Sequence, residues 1–406
     1  MSNYHQNDLK YIIEEIIKSD GFSKNAVITF SKGREKCDGY MGDMVRIDIE
    51  ENGRTLFLVA KISLKHKSIR SIVPVEEAYG NEIQFYENIF PALDEHQRKM
   101  KVEKCFDSVP RFFKSNGNSG EEYLILENLK ELGYEMFNLK NDIDEEHSRV
   151  ICETLGKFHA LSFSLKYINP DKYYSLIKKL QCINLGFMKY KGGCINLCFK
   201  VIKKVLDEMG KSHERIDYYA ENAEDVFKKV LYSSKHEEYS CILHLDDWLN
   251  NFMFKYKTLN GKRTLEDIKL LDWQACFYGS PVLDLSYFLY SAAPVEILNN
   301  WEIYLKIYYN ALTTFLPQQK NIMEIIYPLR ILKDHWKKYC EFGMIRGLII
   351  TKIKLSDTTN LVDPAESGES DYFERIMYAD CDREGLCERV YDLFGHMENL
   401  GVFDEF

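Results

Sequence analysis

CILHLDDWLNNFMFKY, residues 241–256, sets His244, Asp246, Asp247, Asn250 and Asn251 into a run otherwise built mainly from Cys, Ile, Leu, Trp, Phe and Met. A polar group buried without a partner costs roughly 1–3 kcal/mol by mutational measures. Such a cluster is either a surface turn or a set of groups with a task. Downstream, KLLDWQ ends a second apolar run, and Asn260-Gly261 lies between the two. Asn-Gly is the strongest short hairpin signal. Pairing 251–256 with 268–273 across it brings Asn251 and Asp272 to the open end of one hairpin. Alone, these would be two hairpin-end residues facing water.

Upstream, the first 130 residues read as a small sheet-rich unit. Val45, Ile47 and Ile49 alternate with Arg46, Asp48 and Glu50, a half-buried first strand, and after Asn52-Gly53 the stretch TLFLVAKI returns as its partner. Residues 76–90 read as a helix that stops at Phe90-Pro91, and YLIL at 123–126 is another short strand. Leu9, Ile12, Ile13, Ile16 and Ile17 give a leading amphipathic helix. From residue 131 to 406 the pattern is mainly helical, over 145–163, 195–210, 214–233, 296–315, 321–349 and 371–400, with 355–370 polar and loop-like.

The chain has 406 residues, 45% of them hydrophobic and 14% aromatic, enough for a large core in two lobes or domains. A net charge of −10 argues against a nucleic-acid binder. No apolar run approaches the length of a membrane span, and the N-terminus shows no signal-peptide h-region. Eleven cysteines without a CxxC pair read as reduced thiols of a cytoplasmic protein, and Cys194-x3-Cys198 as helix packing. Trp248, Trp273, Trp301 and Trp336 read as core or pocket wall.

Lys61 lies in LVAKI, a strand run where an ammonium is normally excluded. Glu82 falls on the stripe Ala78, Glu82, Phe85, Ile89 of the following helix, so a strand lysine and a helix glutamate can satisfy each other. Kinases hold the phosphates of ATP with such a pair. His244-x-Asp246, with Asn251 five residues after the Asp, has the spacing HxDxxxxN. In phosphoryl transfer that Asp takes or orients the acceptor proton and the Asn binds Mg²⁺. Asp272 beside Asn251 adds a hard oxygen ligand of the kind Mg²⁺ prefers. Asp38-Gly39-Tyr40-Met41-Gly42-Asp43 is a glycine-containing turn before the first strand; it lacks GxGxxG spacing, and an ordinary turn is an equal reading of it.

These ordered features resemble the ecdysteroid-kinase-like (CHK-kinase-like) family, within the aminoglycoside phosphotransferase and choline kinase superfamily. Where its relatives read HGDxWxxN, D[FW]Q and SPxLDLxYFL, this chain reads HLDDWLNNFMF, LLDWQACFYG and SPVLDLSYFLY. NEIQFYENIFPAL, ILENL and LGKFHALS also match, and the resemblance runs from about residue 35 to 345. It implies an α+β, bilobal protein-kinase-like fold, with a nucleotide-binding lobe at 1–130 and a helical lobe at 131–406 that forms the acceptor pocket. The implied activity is transfer of the ATP γ-phosphate, with Mg²⁺, to a hydroxyl of an ecdysteroid-like or other lipophilic small molecule. By resemblance, Lys61 and Glu82 anchor the nucleotide, with Gly42 in the adjoining turn, and Glu127 and Leu129 belong to the hinge that holds adenine by its backbone. Asp246 is the base, Asn251 and Asp272 hold the metal, and His244 and Asp284 brace the catalytic loop.

Two positions depart from the family pattern. Leu245 replaces the family glycine, a residue used where φ > 0 or close backbone approach is needed; an ordinary backbone region is expected at Leu245. Asp247 adds a second negative charge where relatives carry an apolar residue. Two other functions fit the same residues: a choline- or ethanolamine-type kinase, which needs an aromatic or acidic cage, and a non-catalytic binding protein that keeps the fold.

Overall fold

The computed structural model describes residues 13–32, 42–71, 73–139, 141–183, 194–236, 238–316, 320–358 and 372–405. Leu9, Ile12, the Asp38–Met41 part of the glycine-containing turn and most of 355–370 lie outside them.

The N-terminal lobe is built from β1 (Val27–Lys32), β2 (Gly42–Glu51), β3 (Arg54–Ser63), α1 (Val75–Gln84), α2 (Phe90–Lys99), β4 (Phe112–Asn116) and β5 (Tyr123–Glu127). The strands form one antiparallel sheet in the order β1-β2-β3-β5-β4. Glu51 faces Arg54 across Asn52 (φ 53°) and Gly53 (φ 78°), the doubly positive turn that Asn-Gly favours. The expected alternation places Val45, Ile47 and Ile49 in a small core with Leu58, Ala60 and Ile125, covered by Ile13, Ile16 and Ile17 of the leading helix.

Two expectations for this lobe change. The first strand is β1, a half-exposed edge whose VITFSK pattern alternates weakly, so the glycine-containing stretch comes after the first strand in the chain and not before it. The helix also does not stop at Phe90-Pro91. A π-helical turn, Phe85–Ile89, carries α1 into α2, and the Phe90 amide donates to the Phe85 carbonyl. Pro91 thereby falls in the first turn of a new helical segment, where its missing N–H leaves no bond unmade.

The C-terminal lobe holds α3 (Glu145–Ile168), α4 (Pro170–Ile177), α5 (Cys194–Glu208), α6 (Glu214–Lys235), α7 (Val282–Ala292), α8 (Val295–Asn299), α9 (Trp301–Thr314), α10 (Lys320–Ile326), α11 (Leu329–Leu355), α12 (Tyr372–Tyr378) and α13 (Arg383–Asn399). Three expected long helices are broken. Asn300 separates α8 from α9. Pro328, which has no N–H to continue α10, begins α11. Asp382 caps α13 by accepting the Gly385 amide at 3.1 Å. Between α6 and α7 lie two small antiparallel pairings: β7 (Cys241–Leu243) with β10 (Phe277–Gly279), and β8 (Phe252–Leu259) with β9 (Lys262–Leu270). The β8–β9 hairpin turns at Asn260-Gly261, and its β8 also pairs β6 (Tyr134–Met136), so the segment leaving β5 is stitched to this hairpin. This is a bilobal α+β, kinase-like fold. Among the described residues no helix is long and apolar enough to cross a membrane.

Candidate active site

The strand lysine and the helix glutamate meet. Lys61 Nζ donates to Glu82 Oε2 at 2.7 Å and to Asp272 Oδ1 at 2.5 Å. Glu82 is 2% exposed, Lys61 15% and Asp272 30%, so the triad grades from the core to the open side. Burial alone would discharge Lys61; the Asp272 and Glu82 carboxylates outweigh it and its pKa is raised. Burial pushes the Glu82 carboxyl up to about 6, opposed by Lys61 and aided by the like charge of Asp272. At neutral pH two carboxylates therefore face one ammonium.

The Glu82 helix is fastened to the segment that carries Asp272. Phe85, where the π-turn begins, stacks on Trp273 with ring centroids 3.6 Å apart and planes within 5°. Asn81 Nδ2 donates to the Gln274 carbonyl at 3.0 Å and to the Gln181 carbonyl at 2.7 Å. The ion pair thus rests on packing and not on side-chain reach alone.

Two hydrogen bonds tie the hairpin end to the loop 244–251, and two more brace the loop itself. His244 Nε2 donates to the Leu271 carbonyl (2.8 Å), and His244 Nδ1 accepts the Asp246 amide (3.2 Å). The Leu271 amide donates to the Asn251 carbonyl (2.8 Å), and Asn251 Nδ2 donates to Asp246 Oδ2 (2.9 Å). Both ring nitrogens of His244 are occupied by backbone groups, so its ring braces the loop. Asp284, fully buried, accepts the amides of His244 (2.8 Å) and Leu245 (3.0 Å) together with His159 Nε2 (3.1 Å). Three donors around one buried carboxylate are what its burial requires.

Leu245 does not occupy an ordinary backbone region: its φ is 61°. The loop must turn left-handed there for two successive amides to reach Asp284. Glycine takes that conformation freely, whereas leucine costs about 1–2 kcal/mol. Its side chain is completely buried, and burial of a leucine stabilises by roughly 1.5–3 kcal/mol. Asp272 shares the left-handed conformation, with φ 62°. Asp247 also differs from expectation. It points into the core, fully buried, with neither oxygen hydrogen-bonded, and His244 Nδ1 stands 3.8 Å away. Burial, then the charge of Asp284, raises its pKa well above the usual carboxylate value, which disfavours its charged form.

Of the other candidates, Gly42 opens β2 opposite Ser63, and a Cβ there would collide with the Tyr79 hydroxyl and the Ile62 carbonyl. Glu127 ends β5, three residues beyond Leu124, the partner of Lys61. The Glu127 and Asn128 amides donate to the Arg111 and Phe57 carbonyls, while Leu129 opens a 3-10 turn, a position whose amide has no partner in its own helix. Among the described residues no group of three His, Cys, Asp or Glu side chains is placed to hold a metal. Asp272 and the Asn251 amide oxygen fit an ion that takes few protein ligands and completes its shell with phosphates and water.

Three contributors were missed in the sequence. His159, inside LGKFHALS, accepts from the Tyr308 hydroxyl at Nδ1 (2.9 Å) and donates to Asp284. Tyr287, inside SPVLDLSYFLY, donates to Asp246 Oδ1 at 3.1 Å. Arg346 donates to the same oxygen at 2.8 Å. The first two lay within quoted motifs; the third lies outside them, and its signal is a pair of nearby glycines.

No curated protein matches the chain. The model of the ecdysteroid kinase-like family matches residues 36–320, a span that takes in Lys61, Glu82, the HxDxxxxN loop, Asp272 and Asp284, and the chain belongs to that family.

Proposed function

We propose that this member of a kinase-like phosphotransferase family moves the γ-phosphate of ATP to a hydroxyl of an ecdysteroid-like or other lipophilic alcohol in the cytoplasm. One observation carries the reading: Lys61 sits between Glu82 and Asp272 while Asn251 ties Asp246 to the same hairpin end. In this reading Lys61, held by Glu82, binds the α- and β-phosphates with Gly42 in the adjoining turn, and the backbone of Glu127–Leu129 holds adenine. Asp246 accepts the acceptor O–H proton as the acceptor oxygen bonds to the γ-phosphorus. The bond from that phosphorus to the β,γ-bridging oxygen breaks, and ADP leaves with the electron pair. Asn251 and Asp272 would hold Mg²⁺, which when bound neutralises phosphate charge. His244, His159 and Asp284 hold the loop in register, and the hydroxyl of Tyr287, whose pKa burial raises further, remains a donor to Asp246.

The experiment is an ATP-consumption screen with Mg²⁺ over steroids, amino alcohols and plant-type alcohols, alongside Lys61→Met. Mg²⁺-dependent transfer to one of these alcohols, lost in Lys61→Met, is the expected result. No Mg²⁺-dependent consumption and no nucleotide binding would favour the non-catalytic alternative.

A further inference from the structure

Arg346 lies on α11, beyond residue 320, where the family match ends. Besides its bond to Asp246 Oδ1, its guanidinium donates to the Tyr287 hydroxyl at 2.9 Å and lies 4.7 Å from the centre of the Tyr287 ring. The pair is largely withdrawn from water, with Asp246 13% and Arg346 21% exposed. A close helix contact brings it there. Gly343 and Gly347, one turn apart on α11, face α7: a Cβ on the first would collide with the Ser286 backbone and one on the second with the Tyr290 carbonyl. Helices separated by side chains stand about 8–10 Å apart. Here the two backbones touch, and Arg346, next to Gly347, reaches the loop past Tyr287.

This placement has a consequence for the acceptor, resting on the phosphotransfer reading above. An acceptor hydroxyl must come within about 2.6–3.2 Å of the Asp246 carboxylate. An amino alcohol then sets its cationic nitrogen within about 6 Å of the same carboxylate and of its guanidinium partner. An unpaired Asp246 would attract that cation. Paired with Arg346, it offers none. At an effective dielectric near 20, a unit charge lost at that range is worth roughly 10–100-fold in binding. We propose that Arg346 is a positioning residue for Asp246 that also sets acceptor charge, so that the site takes alcohols without a cationic group beside the hydroxyl and discriminates against choline-like ones.

The test measures Mg²⁺-dependent ATP turnover by wild type, Arg346→Lys and Arg346→Met, with water, choline or 3,3-dimethylbutan-1-ol, the uncharged carbon isostere of choline, as acceptor. Both acceleration and suppression of the water reaction are read, so an alcohol that binds unproductively still registers. Wild type should favour the isostere over choline by about 10-fold or more. Arg346→Met should erase that preference and lower kcat at an unchanged KM for ATP, and Arg346→Lys should restore the preference. Equal use of the two alcohols by wild type, or wild-type kcat and preference in Arg346→Met, overturns the inference alone. Should neither alcohol register, an unchanged kcat for water in Arg346→Met does the same. No Mg²⁺-dependent turnover in wild type overturns the phosphotransfer reading, and the inference with it.

Discussion

Two carboxylates of the site each face a cation, Asp272 with Lys61 at 2.5 Å and Asp246 with Arg346 at 2.8 Å, but the charge around them differs. Lys61 is shared with a second, deeply buried carboxylate, Glu82, so that side carries one negative charge in excess. A divalent ion can neutralise that excess. On the other side Asp246 has a cation of its own in Arg346. The contrast suits a site that takes Mg²⁺ and a polyphosphate on one side and an uncharged hydroxyl on the other. Lys61 also lies inside the span that the family model matches, and Arg346 outside it.

The contrast predicts unequal costs. Lys61→Met leaves Glu82 buried beside a like charge, and removing one partner of a buried pair costs about 3–5 kcal/mol. Arg346→Met leaves Asp246 with Tyr287, Asn251 and some water, and should cost about 1–2 kcal/mol. Denaturant unfolding at pH 7.5 measures both, and equal losses would break the comparison. The Lys61→Met deficit should shrink toward pH 5, because Glu82, already pushed up to about 6, can then take a proton.

Asp247 sharpens the comparison from the core side, since it is an acid with no cation at all. Its pKa in the folded state is raised, so its contribution to stability is full below the unfolded value near 4 and is lost as pH rises. Asp247→Asn removes that loss. The variant should match wild type near pH 4 and gain on it as pH rises above that value, by at most roughly 1.4 kcal/mol per unit. Parallel stability curves for the two proteins would mean that Asp247 ionises in the folded state as freely as in the unfolded one.

A smaller effect is expected at Leu245. Leu245→Gly relieves about 1–2 kcal/mol of left-handed backbone but deletes a fully buried side chain, a change worth about 2–5 kcal/mol. A net loss of about 1–2 kcal/mol in thermal or denaturant unfolding is expected. A gain in stability would mean that the family glycine is the better residue here.

The legible part of the site was the part where polarity breaks an apolar run. Lys61 in LVAKI and the cluster in CILHLDDWLNNFMFKY stand out because strands and buried loops exclude such groups, and Asn260-Gly261 set the pairing that brings Asn251 beside Leu271. Arg346 was hidden because α11 carries Lys, Arg and Glu along much of its length, so one inward arginine looks like the others; Gly343-x3-Gly347 was its only mark. Asp247 was misread because adjacent residues in this loop face opposite ways, Asp246 to the site and Asp247 to the core. Leu245 and Pro91 were misread because tertiary packing overrode local preference, through the Asp284 bracket at one and the π-turn at the other.

In the proposed phosphotransfer, Asp246 and Asp272 divide the labour, the acceptor proton falling to one and the metal to the other. The most direct measurement is ATP titration of Asp246→Asn and Asp272→Ala, with and without Mg²⁺, alongside turnover with an accepted alcohol. Asp246→Asn should bind Mg-ATP as wild type does and lose turnover by roughly 10²–10⁴-fold, the usual contribution of a general base. Asp272→Ala should lose the Mg²⁺-dependent part of ATP binding, and turnover with it. Equal loss of nucleotide binding in both variants would contradict the division, and undiminished turnover in Asp246→Asn would contradict the assignment as a kinase.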